Sequence, residues 1–222
     1  AKYDWIIMID GDDIQLPERC SRTAELIARY PEARMITLSA RKFCSDGDLD
    51  IQSYCTGDYN TAPEEMLLTT PGERADNYLH RGVSHRVNGF GCSMAFHRSL
   101  YEQWGPLLKD EAEGARFLQD TAWEMRAALL APMLGSRQLA CRYRVHGQNA
   151  VSRWLTTTYR GVIQAELFFG KMMTFRVGTS RHQLLDLQRA RQEQLTNWRN
   201  EDLDELHDFV ERKLNGSLAC GN

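Results

Sequence analysis

Residues 5–9, WIIMI, form a short apolar run that breaks at once into Asp10, Asp12 and Asp13. A run of that length without polar alternation predicts a strand buried on both faces, as in a parallel sheet. In LPERCSRTAELIARYP, Pro17 suits the first turn of a helix. Cys20, Thr23, Leu26 and Ile27 share one side of it, and Pro31 ends it. RMITLSARKF, residues 34–43, predicts the next strand. The chain therefore opens as strand, acidic turn, helix, strand, which is an α/β unit.

The pattern then loosens. Residues 44–62 are irregular and rich in Asp, Gly, Ser and Thr, and residues 63–82 predict one or two short helices. GFGCSMAFHRSLYEQWGPL predicts a glycine turn, a strand over Ser93–Phe96 and a helix ended by Gly105-Pro106. QDTAWEMRAALLA has helical spacing, with Trp123, Ala127 and Leu130 on one side and Arg126 near its edge. RQLACRYRVH, residues 137–146, predicts a strand. Beyond residue 150 the spacing predicts long helices over 155–177 and 180–214, the second with a stripe of Leu203, Leu206, Phe209, Val210 and Leu214 beneath a charged face. The expected fold is α/β, a mixed but mostly parallel sheet with flanking helices over residues 1–150, followed by a helical extension over 151–222.

Composition narrows the classes. The formal net charge of −3 over 222 residues lacks the basic excess of a nucleic-acid surface, so no nucleic-acid partner is expected. No apolar run reaches about 18 residues, so no membrane span is expected, and no signal-peptide pattern is present. The chain begins with Ala1 rather than Met, so an upstream segment is expected to have been removed or to precede it. Cys20, Cys44, Cys55, Cys92, Cys141 and Cys220 show neither C-x-x-C nor zinc-finger spacing, so they read as reduced thiols of a cytoplasmic protein.

Three groups of residues carry candidate chemistry. Asp10-Gly11-Asp12-Asp13 lies at the carboxyl end of the first strand, where open α/β sheets place ligands. Close carboxylates repel, and hard oxygen donors suit Mg²⁺ or Mn²⁺ shared with phosphates. The same residues also read as a solvated turn with Asp13 as a helix N-cap. Asp120, after Gln119 at a helix start, reads either as a cap or, if it faces the acidic turn, as a general base. His146, in YRVHGQN at the end of a predicted strand, reads as an ordinary polar residue or as a ligand. DGDLD, residues 46–50, is not a calcium loop, because Ile51 and Gly57 occupy the positions that need glycine and glutamate.

In order and spacing, IIMIDGDDIQLPERC, NGFGCSMAFHRSLYEQWGPL, LQDTAWEMRAALL and YRVHGQNAVSR resemble glycosyltransferase family 2, inverting enzymes with a Rossmann-like GT-A fold. The resemblance spans residues 3–150. It implies that Asp10 and Asp12 are the D-x-D acids that hold Mn²⁺ or Mg²⁺ and the nucleotide diphosphate, with Asp13 supporting them. It implies Asp120 as the base that deprotonates an acceptor hydroxyl, Gly91, Cys92 and Ser93 as the acceptor lining, and His146 as a further metal ligand or diphosphate contact. The implied partners are a nucleotide-diphosphate sugar and a saccharide, lipid-linked or protein acceptor. The implied location is cytoplasmic, or peripheral at the inner face of the membrane.

Two departures qualify that pattern. Gln119 stands where the family has Glu, and only Lys2–Asp4 precede the D-x-D strand, where the family has its first strands. The N-terminal half is expected to be missing or carried by another chain, a homo-oligomer is a further expectation, and the first strand is expected to have an unpaired edge. Two other readings stand beside this one. Asp10-Gly11-Asp12-Asp13-Ile14 nearly fits the start of a haloacid-dehalogenase-like phosphatase with Asp10 as nucleophile, but Ile14 replaces Thr or Val and no later Asp-Asp pair follows. A non-catalytic transferase-like scaffold is the other.

Overall fold

The computed structural model describes residues 2–44, 58–59, 64–79, 87, 91–106, 119–145 and 179–219. In chain order these hold β1 (Trp5–Ile7), β2 (Ile14–Gln15), α1 (Arg19–Arg29), β3 (Met35–Cys44), β4 (Asp58–Tyr59), β5 (Met66–Leu68) and α2 (Pro71–Leu79). A 3₁₀ turn (Gly91–Ser93) leads into β6 (Met94–His97), α3 (Arg98–Trp104), α4 (Gln119–Leu130) and β7 (Met133–Val145). Helix α5 covers 179–192 and α6 covers Asn200–Ala219. The helix expected over 155–177, the 46–50 turn and His146 lie outside the described residues.

The strands form one seven-stranded sheet in the order β1-β6-β3-β7-β2, with β4 on β3 and β5 on β7. The expected α/β class holds, but the sheet is mixed rather than mostly parallel. Among the described residues only the β3–β7 pairing is parallel, and β6 runs antiparallel to both β1 and β3. An apolar run reports burial and not direction, so the sequence pattern did not carry this difference.

Beside β6, β1 stands at the end of the strand order. Arg98 donates its backbone N–H to Asp4 O at 2.6 Å, Met8 donates to Met94 O at 3.0 Å, and Ile6 lies opposite Phe96. Residues 4, 6 and 8 thus turn their backbones toward β6, which leaves those of Trp5 and Ile7 facing the open side. The strand is half-buried rather than buried on both faces and ends at Ile7, and Ile9 is 62% exposed. The expected unpaired edge is present among the described residues.

The sheet separates two apolar layers. On one face α1 packs Leu26 against Ile36, Leu38, Leu134 and Ala140. On the other, Met35, Met94, Phe96 and Met133 meet the helices. Leu187 and Ala190 of α5 and Leu203, Leu206 and Val210 of α6 belong to that second core. The predicted stripe of α6 is therefore the buried one, but the stretch 180–214 is two helices, broken over 193–199. On α1 the expected side is shifted: Arg19, Thr23 and Leu26 are buried and Cys20 is exposed. Arg126, expected near the edge of α4, is 1% exposed, because nearly the whole helix is enclosed.

Candidate functional site

The parallel directions of β1, β3 and β7 bring their carboxyl ends to one edge of the sheet, where the acidic turn follows β1. The 3₁₀ turn enters β6 at the same edge, since Ile7 pairs with Ala95 and Met8 bonds to Met94. The chain leaves the acidic turn into β2, which pairs Ile14 with Arg142 and Gln15 with Cys141 of β7. Asp10, Asp13 and Cys92 thereby converge: one ligand atom from each lies within 4.8 Å of the other two.

Asp13 is fixed by its partners. Its Oδ1 accepts the backbone N–H of Arg144 at 2.8 Å, and Arg144 Nε donates to Asp12 O at 2.7 Å. Asp13 Oδ2 is sealed from solvent and receives no hydrogen bond among the described residues. The N-cap alternative is excluded, because α1 is preceded by Glu18, with no side-chain cap. Burial pushes the Asp13 carboxyl above its usual range, against the pull of the Arg144 N–H and the Cys92 thiol. Burial also raises Asp10, followed by the Asp13, Asp12 and Asp120 carboxylates, while Arg19 acts the other way.

That influence puts Asp120, in the first turn of α4, within electrostatic reach of the acidic turn. Phe96 of β6 stacks on Trp123 of α4 with ring centroids 4.9 Å apart, and Trp123 lies one helical turn beyond Asp120. The stack anchors α4 to the strand that pairs with β1. Asp120 Oδ1 also accepts the Thr121 N–H at 2.7 Å, within the first turn of α4.

Gly91 sits directly against Asp10. A Cβ built there would lie 3.2 Å from Asp10 Oδ2, closer than a side chain tolerates without displacing the carboxylate. Cys92 and Ser93 are 1% exposed, so they form the floor of this edge rather than an open acceptor lining. Cys92 packs with Cys141 and Ala40. Its thiol is pushed up by a hydrogen bond to Cys141 and by burial, and Cys141 is correspondingly lowered. Cys20, Cys92 and Cys141 are free thiols, as expected.

The donor set could hold a divalent cation: two carboxylates and a thiol converge, one oxygen of Asp13 is sealed from solvent, and Gly91 leaves room beside the other acid. Asp12, expected as a principal ligand, does not join the converging set and is exposed. Arg19 is a residue that the sequence pattern does not single out. It is 2% exposed and donates to Cys92 O at 2.5 Å, Met8 O at 2.8 Å and Met94 O at 3.1 Å, and also to Gln15 Oε1. It ties the end of β1 to the 3₁₀ turn. The only sequence signal for it is its place one turn before Thr23 and two before Leu26 on the buried side.

A groove of about 450 Å³ lies elsewhere, between α5 and α6, lined by Arg181, Leu184, Leu185, Gln188, Arg191 and His207. Its Arg191 is paired with Asp204 at 2.6 Å and its His207 faces Glu211 at 3.9 Å. Among the described residues no helix is long and apolar enough to cross a membrane. No family model matches the chain, and no curated protein matches it significantly.

Proposed function

We propose that the chain is the cation-binding and acceptor-side part of a glycosyltransferase, moving a sugar from a nucleotide diphosphate to an acceptor hydroxyl with inversion. One observation carries the reading: Asp120, on a separate helix, lies within electrostatic reach of Asp10, and its charge acts to raise the Asp10 carboxyl. A base within electrostatic reach of a cation-binding turn suits a displacement between an activated diphosphate and an incoming hydroxyl. Asp10 and Asp13 would hold Mn²⁺ or Mg²⁺ with Asp12 at the mouth. A bound cation supplies charge neutralisation to a departing diphosphate. Asp120 takes the proton from the acceptor hydroxyl as that oxygen attacks. Gly91 keeps the Asp10 carboxylate in place from the side of the 3₁₀ turn.

The open edge of β1 supports an accompanying reading. The nucleotide site is completed by additional strands, from upstream residues or from another chain, that pair with Trp5 and Ile7. In both cases the part present here supplies the diphosphate side.

Calorimetry with uridine and guanosine diphosphates, each with Mn²⁺, tests the site. The expected result is cation-dependent binding, tighter in the complete protein than in this chain alone. Asp120→Asn is expected to keep nucleotide binding and abolish transfer. Retained transfer in that variant removes Asp120 as the base, and hydrolysis of an aryl phosphate that depends on Asp10 moves the reading to the phosphatase class.

A further inference from the structure

We propose that Cys92 is a ligand of the cation at the acidic turn, so that the site takes a thiophilic divalent ion, Zn²⁺ in preference to Mg²⁺. This rests on the turn being a cation site, and not on sugar transfer.

Geometry carries the argument. Asp10, Asp13 and Cys92 each offer an atom within 4.8 Å of the others, whereas Asp12 does not join them. Ligand distances of about 2.0–2.3 Å in a tetrahedral Zn²⁺ site put neighbouring ligands about 3.3–3.8 Å apart. A small rotation of the exposed Asp10 side chain closes what is left. Asp13 is already oriented for this. Its Oδ1 is held by the Arg144 N–H, which is the kind of outer contact that fixes a ligating carboxylate. Its other oxygen is sealed from solvent. The Cys92 thiol is the side-chain donor nearest to this carboxyl, and a cation bound between them takes the place of the thiol proton.

The third donor sets the selectivity. Cys92 is 1% exposed, and its backbone is clamped by the Arg19 hydrogen bond to its carbonyl. Cys141, 0% exposed, packs behind it with Ala40, so the thiol cannot swing away from the carboxylates without opening the core. A rigid sulfur beside two oxygens suits Zn²⁺, while Mg²⁺ demands an oxygen-rich octahedron. Binding is a simple exchange: Zn²⁺ displaces the thiol proton, a zinc–sulfur bond forms, and one proton is released to solvent.

Co²⁺ is the probe, because a cobalt–thiolate bond absorbs in the near ultraviolet and a tetrahedral oxygen–sulfur set has intense visible bands. Titration of the intact chain should give both, and Zn²⁺ should abolish them stoichiometrically while a large excess of Mg²⁺ should not. Cys92→Ser should remove the charge-transfer band and weaken Zn²⁺ binding by more than the roughly 100-fold typical of losing an outer partner. Asp13→Asn should weaken binding and keep the band. Cys20→Ser, which alters an exposed thiol, should change nothing. The exposed His207, Asp208 and Glu211 group on α6 has no sulfur, so a cation held there gives no charge-transfer band.

If Cys92→Ser fails to fold, alkylation of the unaltered chain decides. Zn²⁺ should slow labelling of Cys92 and leave Cys20 unaffected. A missing thiolate band, a band that survives Cys92→Ser, or Zn²⁺-independent labelling overturns the inference. Mn²⁺-dependent nucleotide binding without the cobalt band leaves the transferase reading standing and removes this one. The band without nucleotide binding does the reverse.

Discussion

Arg126 and Asp186 are joined by two parallel hydrogen bonds, Nε to Oδ2 at 2.8 Å and Nη2 to Oδ1 at 2.9 Å, with 1% and 2% of their surfaces exposed. The pair links α4, which carries Asp120, to α5. The guanidinium lies between Trp104 and Trp123, at 5.3 and 5.2 Å from their ring centres. A buried pair gains little over an apolar replacement, yet losing one partner leaves the other charged and unsolvated. Arg126→Met should therefore cost about 3–5 kcal/mol in a urea unfolding experiment. The double variant Arg126→Met/Asp186→Leu should recover much of that loss. Equal losses in the single and double variants would show that Arg126 contributes through its packing against the tryptophans instead.

His182 makes this cluster sensitive to pH. Its Nε2 lies 3.4 Å from Arg126 Nη2 and 3.4 Å from Asp186 Oδ2. Burial, assisted by Arg126 and opposed by Asp186, holds the imidazole below its usual value near 6.5. The neutral ring accepts from the guanidinium through Nε2. In the unfolded chain the ring protonates first, so between 6.5 and the lowered folded value the unfolded state binds the extra proton. The stabilising contribution is full above 6.5 and is lost as pH falls through that window. Urea midpoints measured across it should fall with pH, and His182→Gln should flatten the dependence.

Gly91 separates a steric role from a folding role. No turn conformation requires a glycine here; the constraint is the 3.2 Å approach of a Cβ to the Asp10 carboxylate. Gly91→Ala should displace that carboxylate by a few tenths of an ångström. Cation affinity should drop severalfold with thermal unfolding nearly unchanged. An equal drop in stability, with affinity per folded molecule preserved, would place the role of Gly91 in packing.

Most of the scaffold was legible because periodicity reports burial: β3, α1, α4 and the stripe of α6 fall where the pattern put them. The acidic turn and its neighbour Asp120 were legible because residue type and element ends are both local. What escaped depends on long-range pairing. The direction of β6 against β1 is fixed by register between residues about ninety apart in the chain. Cys92 read as acceptor lining, and only the β7–β2 pairing at Cys141 and Gln15 shows it as part of the floor. Arg126 read as lying near the edge of its helix, and Arg19 and His182 were not singled out, because a charged or polar side chain in a helix says nothing of a buried partner on another element. The break of the stretch 180–214 at 193–199 had no proline or glycine to announce it.

Arg19 offers the most direct test of how the site edge is held. Its guanidinium spans three carbonyls, of Met8, Cys92 and Met94, which belong to the exit of β1, the 3₁₀ turn and the entry of β6. Arg19→Met keeps the apolar stem and removes every donor. Met94 O still accepts from Met8 N–H, so two carbonyls, Met8 O and Cys92 O, lose the donor that holds them. At about 1–3 kcal/mol for each orphaned acceptor, the loss is on the order of 2–6 kcal/mol. Arg19→Lys should recover little of it, because an ammonium cannot reproduce the planar fork. Removing the guanidinium also removes a charge that acts to lower Asp10, so the Asp10 carboxyl should rise further and lose cation at a higher pH than in the unaltered chain. Urea midpoints and the pH dependence of Zn²⁺ binding read these two effects separately. If Arg19→Lys matches the unaltered chain both in stability and in the pH at which cation is released, the fork is dispensable and the charge alone acts on Asp10.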